Sequence, residues 1–76
     1  MPHHLPALTA KKVVQALKRA GFVEDRQKGS HLVLFNPETG ARTVVTIHYG
    51  RTIKRSLLYT IISDAKLTTE EFADLL

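Results

Sequence analysis

The sequence predicts a small α+β domain in which a three-stranded antiparallel sheet carries its helices on one face. Three observations support this prediction. The chain has 76 residues, and a chain of that length has room for one small core. Apolar residues recur at helical spacing towards both ends of the chain, and two apolar or β-branched runs joined by a Pro/Gly turn lie between them.

Residues 1–7 have the composition of a flexible leader, because they contain two prolines and two histidines and lack periodicity. We therefore place the domain at residues 8–76. The adjacent His3 and His4 have side chains that can bind a metal. A flexible histidine pair without a nearby carboxylate is more typical of solvated sequence.

The first helix is predicted to begin after Thr9 and to end at Gly21. Threonine is a favourable N-cap, and glycine is the usual residue just past a helix. The buried stripe consists of apolar residues at helical spacing: Val13, Val14, Leu17 and Ala20. Leu5 and Leu8 are expected to dock on the same core.

Three strands are predicted next, in an antiparallel meander. Residues 22–27 alternate weakly, residues 31–35 are rich in apolar side chains, and residues 42–48 are dense in β-branched side chains. Gly29-Ser30 separates the first two strands. Asn36–Gly40, with its proline and glycine, is predicted to form the second turn.

A second helix is predicted from the helical spacing of Leu58, Ile61, Ile62 and Ala65. Thr52 and Ser56 can each act as its N-cap. Thr68 and Glu71 form a capping-box pattern that begins a last short helix. The apolar residues of that helix are Phe72, Leu75 and Leu76.

The resulting α-β-β-β-α order is that of double-stranded RNA-binding domains, which read the shape, phosphates and 2′-hydroxyls of RNA. The charge agrees with this order. Residues 1–62 hold ten Lys and Arg against three acidic residues, a net charge of +7, whereas residues 63–76 hold one lysine against four acidic residues. A basic body favours polyanions. On charge alone, a solvated lysine-rich surface is an equally good explanation.

Composition also excludes several classes of function. The chain has no cysteine, so disulfides, thiolate nucleophiles and cysteine zinc sites are excluded. No apolar run approaches the roughly 20 residues that span a bilayer. We expect a cytoplasmic protein without membrane contact, cofactor or metal.

His31 is the strongest candidate for chemistry. It follows Lys28-Gly29-Ser30 at the mouth of a strand, where glycine permits close backbone approach and the serine and lysine can contact a phosphate. An imidazole exchanges protons near neutral pH, as RNA cleavage without a metal requires. Taken alone, the Gly29-Ser30-His31 triplet favours a structural role. In that alternative, His31 is the first residue of the strand and its imidazole is hydrogen-bonded to a backbone carbonyl.

A second histidine and several cations flank this motif. His48 is predicted to close the third strand, either as a loop anchor or as a second residue for proton transfer or phosphate contact. Cations able to neutralise phosphates are Arg26, Lys28, Arg51, Lys54 and Arg55. Phe22, Phe35 and Phe72 are predicted in the core, and the roles of Tyr49 and Tyr59 stay open.

These motifs together resemble the HicA toxins of bacterial and archaeal toxin-antitoxin pairs, from about Leu8 to Leu76. The resemblance rests on Gly21-Phe22, Arg26-x-x-Gly29-Ser30-His31, the later His48 and Glu70-Glu71-Phe72. It implies a double-stranded-RNA-binding-like fold with His31 as the catalytic residue. It also implies a metal-independent mRNA interferase that is inhibited by a HicB antitoxin covering its active face.

The sequence departs from the family pattern at two places. Thr46 stands where a proline commonly precedes the later histidine by two residues, and no glycine starts the second helix near Arg55 and Ser56.

The leading hypothesis is therefore a toxin endoribonuclease of a HicA/HicB pair, with RNA and the antitoxin as partners. The residues expected to contact RNA around catalytic His31 are Arg26, Lys28, Gly29, Ser30, His48, Arg51 and Lys54. Two alternatives stay open: a non-catalytic double-stranded-RNA-binding module and a domain that binds only proteins.

Overall fold

The computed structural model describes residues 5–76, so the prediction for His3 and His4 lies outside the described residues. The elements are α1 (Ala10–Arg19), β1 (Val23–Lys28), β2 (His31–Phe35), β3 (Arg42–Thr46), α2 (Arg55–Asp64) and α3 (Thr69–Asp74). The strands form an antiparallel sheet in the order β1-β2-β3. The predicted α-β-β-β-α fold is thus confirmed. Across residues 5–76, no helix has the length and apolar character needed to cross a membrane.

The ends of α1 follow from its capping residues. The Thr9 hydroxyl accepts a hydrogen bond from the Lys12 amide at 3.4 Å. At the other end Gly21 has φ +101°, a conformation that glycine adopts without a Cβ penalty. The Gly21 amide donates to the Lys18 carbonyl and the Phe22 amide to the Leu17 carbonyl, both at 3.0 Å. These two bonds form a Schellman motif, which ends the helix and leads directly into β1.

The helices pack against one face of the sheet and leave the other face open. On β2, Leu32 and Leu34 are buried towards the helices, while the alternate residues Val33 and Phe35 are only half-buried on the open face. The prediction that Phe35 belongs to the core is therefore wrong. Its strand register places it on the open face, where the Arg42 guanidinium lies 4.8 Å from the ring centroid.

A bulge at Asp25 changes which side chains of β1 share a face with His31. Glu24 pairs with Leu34 and Arg26 with Val33, which leaves Asp25 as the extra residue. The register is unbroken from the hairpin turn to the pair Arg26–Val33, so simple alternation from Lys28 places Arg26 on the open face with His31. The bulge acts beyond Arg26: it turns Glu24 towards the helices, where an unbroken register would have placed Asp25.

β3 ends at Thr46, two residues earlier than predicted, so His48 does not close the strand. Ile47 still donates its amide to the Ser30 carbonyl at 2.7 Å. The chain then leaves the sheet in a turn, in which the Arg51 amide donates to the His48 carbonyl at 3.3 Å.

α2 begins at Arg55, with Lys54 as its N-cap and no side-chain capping bond. Neither of the two predicted caps is used. Thr52 instead pairs with Thr9 in an isolated antiparallel bridge, and the Ile53 amide donates to the Leu8 carbonyl at 2.7 Å. Because this pairing holds the segment extended, the helix starts later than Thr52 would allow.

Two further predictions are confirmed, whereas α3 ends at Asp74, before the predicted helix residues Leu75 and Leu76. The capping box of Thr68 and Glu71 is present at the start of α3. Leu5 and Leu8 are both buried in the core. The Arg55 guanidinium donates to the Leu5 carbonyl at 2.8 Å, so this cation holds the segment before α1 against α2.

Candidate nucleic-acid interface

The β1–β2 hairpin brings Lys28 and His31 opposite each other. They are directly paired across the two strands and are joined only by Gly29 and Ser30. Gly29 has φ +59°, whereas Ser30 is not among the residues with positive φ. Positive φ at the first central residue alone is the pattern of a type II′ turn, which favours glycine at that position. The Gly-Ser sequence therefore fixes the turn that sets the lysine beside the histidine.

Both carbonyls of this turn are held from outside it. The Gln27 side-chain amide donates to the Gly29 carbonyl at 3.1 Å. The Ile47 amide donates to the Ser30 carbonyl at 2.7 Å. The turn is thus braced by β1 on one side and by the chain leaving β3 on the other.

The His31 side chain is exposed on the open face of the sheet. Arg26 and Lys28 lie on the same face and are also exposed. Within residues 5–76, the His31 ring has no hydrogen-bond partner, so the structural alternative of an imidazole bonded to a backbone carbonyl is not what the structure contains. An exposed imidazole beside two cations can exchange a proton at a phosphate group bound there.

A second group of predicted residues surrounds the loop after β3. His48, Arg51 and Lys54 line a cavity of about 250 Å³ between this loop and the start of α1. Thr46, the direct strand partner of His31, lines the same cavity. The two predicted groups therefore lie at the same end of the sheet.

A larger groove of about 620 Å³ lies between α1 and the helix-facing side of the hairpin. Its lining includes His48 but not His31. It also includes Lys11, Gln15 and Tyr49, which are not among the predicted binding residues. No sequence signal marks them as a group, because they meet only when α1 packs beside the hairpin.

In the part of the chain that the structure describes, no group of three or more His, Cys, Asp or Glu side chains is placed to hold a metal ion.

The fold and this surface define a small basic α+β domain whose exposed histidine lies among cations at one end of an open sheet. The protein-family model for the HicA toxin of bacterial toxin-antitoxin systems matches residues 10–67 of this chain. The chain therefore belongs to the HicA toxin family, as the motif resemblance predicted. No curated protein matches the sequence. Family membership makes the chain the toxin of a toxin-antitoxin pair, with an antitoxin as partner, and a nuclease that acts on RNA.

Proposed function

We propose that this toxin is a metal-independent endoribonuclease that cleaves mRNA in the cytoplasm, with His31 as its catalytic residue. The observation that supports this assignment is the direct pairing of exposed His31 with Lys28 across the braced Gly29-Ser30 turn. That geometry sets a group able to exchange protons beside a group able to hold a phosphate.

The proposed reaction needs two proton transfers. The ribose 2′-hydroxyl loses a proton as its oxygen bonds to phosphorus, and the 5′-oxygen gains a proton as its bond to phosphorus breaks. The products are a 2′,3′-cyclic phosphate and a 5′-hydroxyl. His31 serves one of these transfers and water serves the other. General acid or base catalysis by one positioned side chain contributes roughly 10²- to 10⁴-fold to the rate.

The neighbouring residues would bind the RNA. Lys28 and Arg26 share the face of His31 and would neutralise the scissile phosphate and its neighbour. Gly29 lets the backbone approach the strand closely, and within residues 5–76 the Ser30 hydroxyl has no hydrogen-bond partner that would keep it from a phosphate oxygen. Because both turn carbonyls are already held by the protein, this binding surface is formed before the RNA arrives.

The loop after β3 would add further phosphate contacts. His48, Arg51 and Lys54 are exposed and line one cavity at the same end of the sheet. Arg55 contributes less, because its guanidinium already bonds the Leu5 carbonyl. The proposed antitoxin is a HicB-type protein that covers this end of the sheet and so blocks His31.

The test is His31→Ala, compared with the parent in RNA cleavage and RNA binding with a chelator present. We expect the rate of cleavage to fall at least roughly 100-fold, while the dissociation constant for uncleaved RNA stays close to that of the parent. His31→Gln keeps a polar side chain but cannot exchange protons near neutral pH, so it should be equally slow.

Cleavage at the parental rate by either variant would show that His31 is not catalytic. If the parent itself bound RNA but left it intact, the protein would instead be a binding module. Activity that the chelator abolished would contradict the metal-independent mechanism.

A further inference from the structure

The groove between α1 and the hairpin has an apolar floor beneath a polar rim. Val14 of α1, Leu32 of β2 and Ile47 form the floor. Gln15 of α1 and Gln27 of β1 line the groove from its two sides. The volume of about 620 Å³ lies within the range of small-molecule pockets, so a single nucleobase with its sugar fits between the walls.

Tyr49 stands at the edge of this groove with no role in the fold. The residue is 95% exposed, more than any other large hydrophobic residue in the described part of the chain. It lies in the turn between His48 and Gly50, which line the same groove. An aromatic ring in this position is free to stack on the face of a base held below it.

The charge of the groove suits an anionic ligand. Glu24 is the one acidic residue in its lining, and the Lys18 ammonium pairs with that carboxylate. Lys11, also in the lining, forms no ion pair with any residue between Leu5 and Leu76. A phosphate entering the groove therefore meets a lysine and no unpaired carboxylate.

We propose that this groove binds one unpaired nucleotide of the RNA, stacked on Tyr49, and that the toxin therefore acts on single-stranded RNA. The inference rests on the proposed ribonuclease function for its ligand. Two residues connect the groove to the turn: Gln27 lines the groove and bonds the Gly29 carbonyl, and Leu32 is adjacent to His31 on the other side of the sheet. The strand would leave the groove over Gly29 and Ser30 and present its next phosphate to His31.

A duplex does not satisfy this arrangement. A base that is paired and stacked in an A-form helix exposes only its edge, whereas an unpaired base can be turned out and stacked on an aromatic side chain. This domain therefore has the element order of double-stranded RNA-binding domains but binds RNA differently. The proposed groove accepts a single base and does not contact the surface of an RNA helix.

The first test measures RNA binding in the His31→Ala background, so that no cleavage interferes. The probe is a short single-stranded oligoribonucleotide, compared with the same sequence annealed to its complement. We expect tighter binding of the single strand. Tyr49→Ala should weaken that binding roughly 5- to 150-fold, the range of one base–aromatic stack, and Tyr49→Phe should restore it. Tyr59→Ala is the matched control, since Tyr59 lies on α2 outside the groove.

The second test locates the RNA by methyl NMR spectroscopy with the same single strand. Leu32 and Val33 are adjacent but face opposite sides of the sheet. Chemical-shift changes at Leu32, Val14 and Ile47 that exceed those at Val33 would support the groove. Changes confined to Val33 and Val44 on the open face, tighter binding of the duplex, or parental binding by Tyr49→Ala would each overturn it.

These measurements do not depend on catalysis. If His31→Ala cleaves RNA like the parent but the groove methyls respond, the catalytic assignment fails and the groove stands. If His31→Ala is inactive but Tyr49→Ala binds like the parent, the groove fails and the catalytic assignment stands.

Discussion

Asn36 is a buried polar residue that links two parts of the chain distant in sequence. Only 5% of it is exposed. Its side-chain nitrogen donates to the Ala20 carbonyl at the end of α1, at 3.2 Å. Its side-chain oxygen accepts from the amides of Glu38 and Thr39, at 2.9 and 3.4 Å. One amide group therefore joins the end of the first helix to the turn between β2 and β3.

Replacing this residue should destabilise the domain. Asn36→Ala removes the three hydrogen bonds that this buried side chain makes, so we expect the free energy of unfolding to fall by about 1–3 kcal/mol. Urea denaturation measures this change, and an unchanged m-value would show that the unfolded state is the same. Glu38→Gln, in the exposed part of the same turn, is the control and should have little effect. If the Asn36→Ala protein were as stable as the parent, these hydrogen bonds would make no net contribution to the free energy of unfolding.

At the scale of elements, most boundaries could be predicted because they depend on local chemistry. The Thr9 cap, the Gly21 stop and the capping box at Thr68 each act within one turn of helix. The start of α2 could not be predicted, because Thr52 is held by Thr9, a partner far away in the sequence. The end of β3 at Thr46 likewise depends on where the chain bends back towards α1.

In the candidate site too, features set by local sequence could be predicted, and features set by contacts between distant segments could not. The hairpin part, from Lys28 to His31, was predicted because a Gly-Ser turn fixes it locally. The bulge at Asp25 was not predicted, and it turns Glu24 instead of Asp25 towards α1, where the Glu24 carboxylate pairs with Lys18. The groove beside α1 was also missed, since its walls come from three elements and no single segment carries its pattern.

The capping box at the start of α3 is expected to contribute to the stability of the domain. The Thr68 hydroxyl accepts from the Glu71 amide at 3.0 Å, and the Glu71 carboxylate accepts from the Thr68 amide at 2.8 Å. The box positions Phe72, which is completely buried. Thr68→Ala should therefore lower the free energy of unfolding by about 1 kcal/mol. Thr69→Ala, one residue later and without a side-chain hydrogen bond within residues 5–76, should change it less in the same thermal or urea unfolding experiment. Equal losses in the two variants would contradict the capping role.

At the scale of the whole molecule, charge is divided between two regions. The sheet end around His31 carries exposed Arg26 and Lys28, and three of the four acidic residues beyond residue 62 lie in α3. The Arg19 guanidinium donates to the Leu75 carbonyl at 2.6 Å and so holds the C-terminal segment to α1. A partner that inhibits the toxin by covering His31 must therefore present an acidic surface to the sheet end.

This division of charge predicts which lysines the antitoxin protects. In the complex with its antitoxin, we expect Lys28 and Lys54 to lose reactivity towards an amine-acetylating reagent, measured by mass spectrometry. Lys66, which lies between α2 and α3 in the acidic segment, should react as in the free toxin and is the internal control. Complex formation should also weaken as salt concentration rises, because the contact is between opposite charges. Protection of Lys66 alone would show that the antitoxin binds the acidic segment and inhibits without covering His31.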